Sequence, residues 1–131
     1  MIKLAFCLHR RPELTHEAFQ RYWLEEHGPL VREHAEALRI RRYVQLHTTD
    51  HALNPALQAS RGGPDAYDGV AELWWESFEE LAAAMATPEG QKSGATLLED
   101  ERRFIDLARS PLFVGREHLL HEAGRGARGE A

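Results

Sequence analysis

A single cysteine, Cys7, among 131 residues excludes an internal disulfide, and its alternating apolar setting is that of a packed thiol rather than a reactive one. No apolar run approaches the roughly 20 residues needed to span a bilayer. Met1 to Arg11 lacks the basic, apolar, small order of a signal peptide. A cytoplasmic protein with no membrane partner is therefore expected. An excess of positive charge is missing too: the formal net charge is −5, with 16 basic residues scattered among 21 acidic ones. No basic stripe can follow a phosphate backbone, so nucleic acid is not an expected partner. A Gly-rich phosphate loop, a nucleophile elbow and a cofactor-lysine motif are all absent, which leaves nucleotide, acyl-serine and pyridoxal chemistry without support. The eight histidines include no H-x-x-x-H on one predicted helix, and His118 and His121 would point to opposite strand faces. No metal site is expected.

What the chain does have is 43% hydrophobic residues, enough for one core beneath a charged surface. Ile2, Leu4, Phe6 and Leu8 alternate with Lys3, Ala5, Cys7 and His9, the period-two signature of a first strand. Thr15 can cap a helix to about His27, with Phe19, Tyr22, Trp23 and His27 at helical spacing. Gly28-Pro29 should kink it before a second segment through Val31, His34 and Leu38. Ile40 to Thr48 is a second strand, with Tyr43, Gln45 and His47 on one face and Val44 and Leu46 on the other. Thr49 to Asp68 reads as a long irregular connection. Gly69 to Trp75 is a third strand, and Ser77-Phe78-Glu79-Glu80 is a capping box for the next helix. Thr87-Pro88 starts a further helical piece with Leu97, Phe104, Ile105 and Ala108 on one stripe, stopped by Ser110-Pro111. Leu112 to Leu120 is the last strand. Residues 122–131 lack an apolar anchor and are expected to be a disordered tail after a single domain of residues 1–121.

The order βαββαβ places the helices on one face of an antiparallel sheet. Trp74 and Trp75, being adjacent, point to opposite faces and cannot both bury against the same helices. A partner sheet is the natural cover for the second face, so a homodimer is expected.

The stretch Phe19-Gln20-Arg21-Tyr22-Trp23-Leu24-Glu25-Glu26-His27-Gly28-Pro29-Leu30-Val31, preceded by the strand IKLAFCLHRRP, resembles the EthD family. So does Asp68-Gly69-Val70-Ala71-Glu72-Leu73-Trp74. The resemblance covers about residues 1–121 and implies an α+β, ferredoxin-like dimeric barrel, in a superfamily with muconolactone isomerases, polyketide cyclases, haem enzymes and stress proteins. The founding members accompany a monooxygenase system of tert-butyl ether catabolism without an agreed chemical role. Other members resemble dehydratases or isomerases. Fold is thereby better fixed than function.

Three residues are candidate catalytic groups. His27 lies four positions after Trp23 and is aimed at the sheet. Its imidazole can act as acid or base near neutral pH, or serve structurally by bonding a backbone carbonyl at Gly28. Glu72, mid-strand beside Val70 and Trp74, can be a buried carboxyl that handles protons, or a carboxylate neutralised by Arg41, Arg42 or Arg116. Tyr43 shares a strand face with His47, about 13 Å away; the two can line opposite ends of one pocket or carry their polar tips to solvent. Phe6, Tyr22, Trp23, His47, Trp74 and Phe104 are the candidate substrate-binding residues. Asp68 reads as a turn residue. No cofactor is expected; related barrels hold haem between helix and sheet, which makes His27 and His34 the candidate axial ligands if haem were bound.

The leading expectation is an enzyme that moves a proton on a small hydrophobic carbonyl or hydroxyl compound, by dehydration, isomerisation or cyclisation. The alternatives are a non-catalytic accessory protein that binds such a compound for an oxygenase, and a structural or stress-type homodimer whose aromatic residues are simply core.

Overall fold

The alternation at the N-terminus forms β1 (Ile2–Leu8), and the structure, a computed structural model, describes residues 1–124. The strand β1 lies centrally, antiparallel to β3 (Gly69–Trp75) and to β4 (Leu112–Arg116), while β2 (Arg42–His47) pairs antiparallel with β3. The sheet order is β2-β3-β1-β4. The register sets two faces. Leu4, Leu73 and Tyr43 stand abreast on one, as do Phe6, Ala71 and Gln45, and then Leu8, Gly69 and His47. These residues face the helices. Lys3, Trp74 and Arg42 form a row on the opposite face, and so do Ala5, Glu72 and Val44. The expected α+β, ferredoxin-like arrangement is thus present.

Helix α1 (His16–Tyr22) begins where expected, the Thr15 side chain accepting from the Ala18 N–H. The expected kink at Gly28 is replaced by a π-helical turn over Trp23–His27, in which the Gly28 N–H reaches back to the Trp23 carbonyl. Helix α2 (Gly28–His34) then continues with Gly28 itself helical. The cause is Pro29: it has no N–H to donate, and its ring crowds the carbonyl four residues back, so a widened turn keeps the helix running where a tight one would break.

The connection expected to be irregular contains α3 (Leu53–Arg61). Pro55 falls in its first turn, where the missing N–H costs nothing, and Gly62 closes it at φ 60°, a left-handed position that suits glycine. Helix α4 (Phe78–Ala86) is capped by the Ser77 side chain as expected, and α5 (Pro88–Glu101) by Thr87. Two boundaries are shorter than expected. The α5 helix stops at Glu101, so Phe104 and Ile105 enter the core from the turn that follows, and a 3₁₀ turn covers Leu107–Arg109. The last strand ends at Arg116 rather than Leu120. Of the expected tail, residues 125–131 lie outside the described residues. No helix among the described residues is long and apolar enough to cross a membrane.

The core joins Phe6, Leu8, Phe19, Trp23, Ala71, Phe104 and Ile105. Leu8, Phe19, Trp23 and Phe104 are fully buried, each contributing about 1.5–3 kcal/mol or more by leaving water. Trp23 packs directly onto the backbone of β3, because a Cβ added at Gly69 would stand 2.4 Å from the indole and 2.6 Å from the Leu46 carbonyl. This explains the glycine of the D-G-x-A-E-L-W stretch by close approach. Asp68, just before it, does more than turn the chain: it accepts from the Arg10 backbone N–H at 2.9 Å, the Arg10 guanidinium at 2.6 Å and His16 Nδ1 at 2.7 Å. Burial pushes its carboxyl up, but these partners outweigh burial and hold it below the ordinary range.

Candidate active site

The π-helical turn puts both of its aromatic ends inside, Trp23 at 1% and His27 at 5% exposure. His27 does not bond the backbone at Gly28. Its Nδ1 lies 2.7 Å from Asp100 Oδ2, and the Tyr22 hydroxyl donates to Asp100 Oδ1 at 2.5 Å. The Phe104 ring packs against both, with centroids 4.9 Å from His27 and 5.1 Å from Tyr22. Since the Asp100 carboxylate accepts, Nδ1 carries the hydrogen and Nε2 is left with its lone pair. Among the described residues Nε2 has no protein partner, and no fully buried side-chain N or O atom lacks one. Nε2 therefore keeps a small accessible surface, on a residue that is 5% exposed. Burial pushes the His27 imidazole below its ordinary value, with Asp100 pulling the other way but not prevailing. It is neutral at pH 7 and has the form of a base.

The next residue along α5 is Glu101. Burial, with the negative charge of Asp100 second, raises its carboxyl to about 7. It sits close enough to Tyr43 to act on it electrostatically: burial first, and Glu101 in the same direction, raise the Tyr43 phenol, opposed by N–H groups of Gln45 and Trp23. Imidazole, carboxyl and phenol thus come from three elements, and one of them, the Glu101 carboxyl, is poised near neutral pH.

Tyr43 and His47 do line one cleft, of about 460 Å³, between α2 and the edge strand β2. They are not in contact, but Gln45 between them bridges the gap, donating to the Tyr43 oxygen at 2.7 Å and bonding His47 Nε2 through Oε1 at 2.7 Å. The same amide donates to the Trp23 carbonyl at 2.9 Å, tying the ladder to the π-helical turn. The His47 ring stacks on Trp23 at 4.4 Å and 24°. Burial, then the neighbouring His16, lower the His47 imidazole.

The sequence-expected residues therefore divide. His27, Tyr22 and Phe104 meet around Asp100; Tyr43 and His47 meet through Gln45; Trp23 joins the two groups, and Phe6 lies in the core beneath. Glu72 and Trp74 do not join them, because both stand on the sheet face away from the helices. None of the expected arginines pairs with Glu72; Lys3 does, from the neighbouring strand, while Trp74 donates its indole N–H to Glu117 at 2.6 Å. His34 bonds the Ser93 hydroxyl at 2.8 Å. Among the described residues no group of three or more His, Cys, Asp or Glu could hold a metal ion. Sequence reasoning missed Asp100, Glu101 and Gln45. The signal for the first two was the stripe Leu97–Phe104, whose intervening inward positions at helical spacing are 100 and 101.

Residues 11–108 match the EthD domain. An EthD family protein of Bacillus halodurans C-125 has 24% identity, the match covering 90% of this chain and 99% of that one, with a TM-score of 0.59. An EthD-like protein of Ralstonia eutropha JMP134 has 18% identity over 87% of this chain and 89% of its own, with a TM-score of 0.52. HapK of Hahella chejuensis has 13% identity over 95% and 99%, with a TM-score of 0.57. Comparison with curated proteins finds no significant match. These solved structures share the fold described above, and with the domain match running from the end of β1 past α5, the chain belongs to the EthD family.

Proposed function

We propose that the protein is an enzyme that moves a proton on a small, largely apolar carbonyl or hydroxyl compound, with His27 as the base. The observation that carries this reading is the Tyr22–Asp100–His27 chain, which fixes the imidazole tautomer and leaves Nε2 open. A histidine kept only for packing has no need of a carboxylate behind one nitrogen while the other has no partner among the described residues. Asp100 is the positioning residue: it orients the ring and stabilises the imidazolium formed when Nε2 takes a proton. Glu101, near neutrality, supplies or receives the second proton that dehydration or isomerisation requires, with the Tyr43 hydroxyl donating to the substrate oxygen. These roles use side chains alone, and the reaction is written without a cofactor.

A panel of cyclic and aromatic ketones and hydroxyketones, incubated with the protein in D₂O, tests this by the appearance of deuterium beside the carbonyl in NMR spectra. At least one compound is expected to exchange. On that compound His27→Gln, with its fold checked by circular dichroism, is expected to lose about 10²- to 10⁴-fold in rate. Undiminished exchange in the variant would remove His27 from the mechanism. Binding without exchange anywhere in the panel would make the protein a carrier of such compounds.

A second copy of the chain completes the assembly in this reading. Leu46 and Phe113 on the face away from the helices are 55% and 58% exposed, apolar surface that a partner sheet would cover. Light scattering is expected to give twice the chain mass, and a monomer at micromolar concentration would count against it.

A further inference from the structure

We infer that the cleft between α2 and β2 binds a small apolar carboxylate, with Arg32 as its counter-ion. Leu24, Val31 and Ile40 supply an apolar wall. The opposite wall is the Tyr43–Gln45–His47 ladder, and the narrowness of the cleft depends on Gly28, where a Cβ would stand 3.2 Å from the Gln45 amide nitrogen. The volume, about 460 Å³, is in the range of small-molecule sites.

Charge decides the ligand class. In a chain with 21 acidic and 16 basic residues, this cleft is lined by Arg32, Arg41 and Arg42 and by no acidic side chain. Two of the three are engaged elsewhere: Arg41 pairs with Glu76 at 3.2 Å, and the Arg42 guanidinium lies 4.7 Å from the Trp74 ring on the other sheet face. Arg32 has no protein partner among the described residues. A single free guanidinium beside an apolar wall matches one carboxylate on an apolar body, through a forked pair of hydrogen bonds.

The ladder adds direction. Both hydrogens of the Gln45 amide are committed, one to the Trp23 carbonyl and one to the Tyr43 oxygen. Its oxygen therefore accepts from His47 Nε2, which leaves His47 Nδ1 as an acceptor. The Tyr43 hydrogen meets no protein acceptor among the described residues and is free to donate. A bound molecule is thus held at its carboxylate by Arg32 and at a carbonyl or phenol oxygen by Tyr43. This deepens the proposed function by naming the charge of its substrate, and rests on that reading only for the statement that the bound compound is also turned over.

Titration with 2-naphthoate, followed by backbone amide shifts, tests the inference, with 2-naphthol as the same ring system without the carboxylate. Shifts are expected at α2 and β2, and naphthoate is expected to bind about ten-fold or more tightly than naphthol. Arg32→Ala, at an exposed helical position, should remove that advantage and leave naphthol binding unchanged, while Arg32→Lys keeps part of it. Equal affinity for the two compounds, undiminished naphthoate binding in Arg32→Ala, or shifts confined to other elements would each overturn it. His27 is not among the residues that line this cleft, so His27→Gln tests the acid–base reading by exchange and Arg32→Ala tests this one by binding, and the two can fail separately.

Discussion

Asp100→Asn is expected to remove most of the turnover while leaving the fold in place. Asp100 accepts from two donors, the Tyr22 hydroxyl at 2.5 Å and His27 Nδ1 at 2.7 Å. An asparagine keeps the oxygen that Tyr22 needs but offers N–H to His27. The imidazole then answers by accepting at Nδ1 and carrying its hydrogen on Nε2, the nitrogen that has to be a base. When a carboxylate behind a catalytic histidine is replaced in this way, the loss is about 10⁴-fold with the geometry intact. A loss of about 10²- to 10⁴-fold is expected here, measured as deuterium exchange on the compound that the parent protein turns over. The ¹⁵N shifts of His27 should report the switched tautomer directly. A purely structural Asp100 would show the switched tautomer and a change in stability without the loss of turnover, and turnover within ten-fold of the parent value would sink the positioning role.

Glu101→Gln is expected to stabilise the protein above neutral pH and to impair it as an enzyme. The folded protein holds the Glu101 proton up to about 7, against 4.5 in a solvated carboxyl. Between those values the folded state keeps a proton that the unfolded state releases, so the contribution of Glu101 is fully present below 4.5 and is lost as pH rises through the window. At 1.36 kcal/mol per pH unit the loss is about 3 kcal/mol. Glutamine does not titrate. Denaturant unfolding at pH 4, 6 and 8 should therefore show the two proteins converging at the acid end and the variant ahead by up to about 3 kcal/mol at the alkaline end. A difference independent of pH would contradict the burial of the charge. A gain in stability coupled to a loss of exchange activity is what a functional group held at an energetic disadvantage predicts.

Much of this architecture was legible because it depends on local periodicity. Ile2, Leu4, Phe6 and Leu8 alternate, and β1 follows; Thr15 and Ser77 are caps, and α1 and α4 begin after them. Adjacent tryptophans point to opposite faces on any strand, and Trp74 and Trp75 do so, the latter donating its N–H to the Leu38 carbonyl on the helix side. Local rules failed where two of them competed. Pro55 and Gly62 read as loop punctuation, yet one sits in the first turn of α3 and the other closes it. Gly28-Pro29 read as a kink, yet the π-helical turn absorbed it.

The candidate site was half legible. His27 announced itself by its spacing from Trp23, and Tyr43 with His47 by the strand face they share. Asp100 and Glu101 were marked only by their spacing between Leu97 and Phe104, since in the run Glu99-Asp100-Glu101-Arg102-Arg103 a carboxylate that will be buried otherwise looks the same as one that will be solvated. Glu72 was misplaced for a related reason: mid-strand position marks a carboxylate as costly only if its face is the covered one, and Lys3 meets it across the register on the other side.

The sequence by itself thus determined the element order, the two faces of each strand, the family and the position of one histidine, since each is set by neighbours a few residues away. Only the tertiary structure decided which carboxylate stands behind that histidine, which carboxyl is pushed towards neutrality and which arginine is left without a partner. Those properties arise from contacts between groups as far apart as His27 and Asp100, whose burial and charge exist only once α1, α5 and the sheet have packed together.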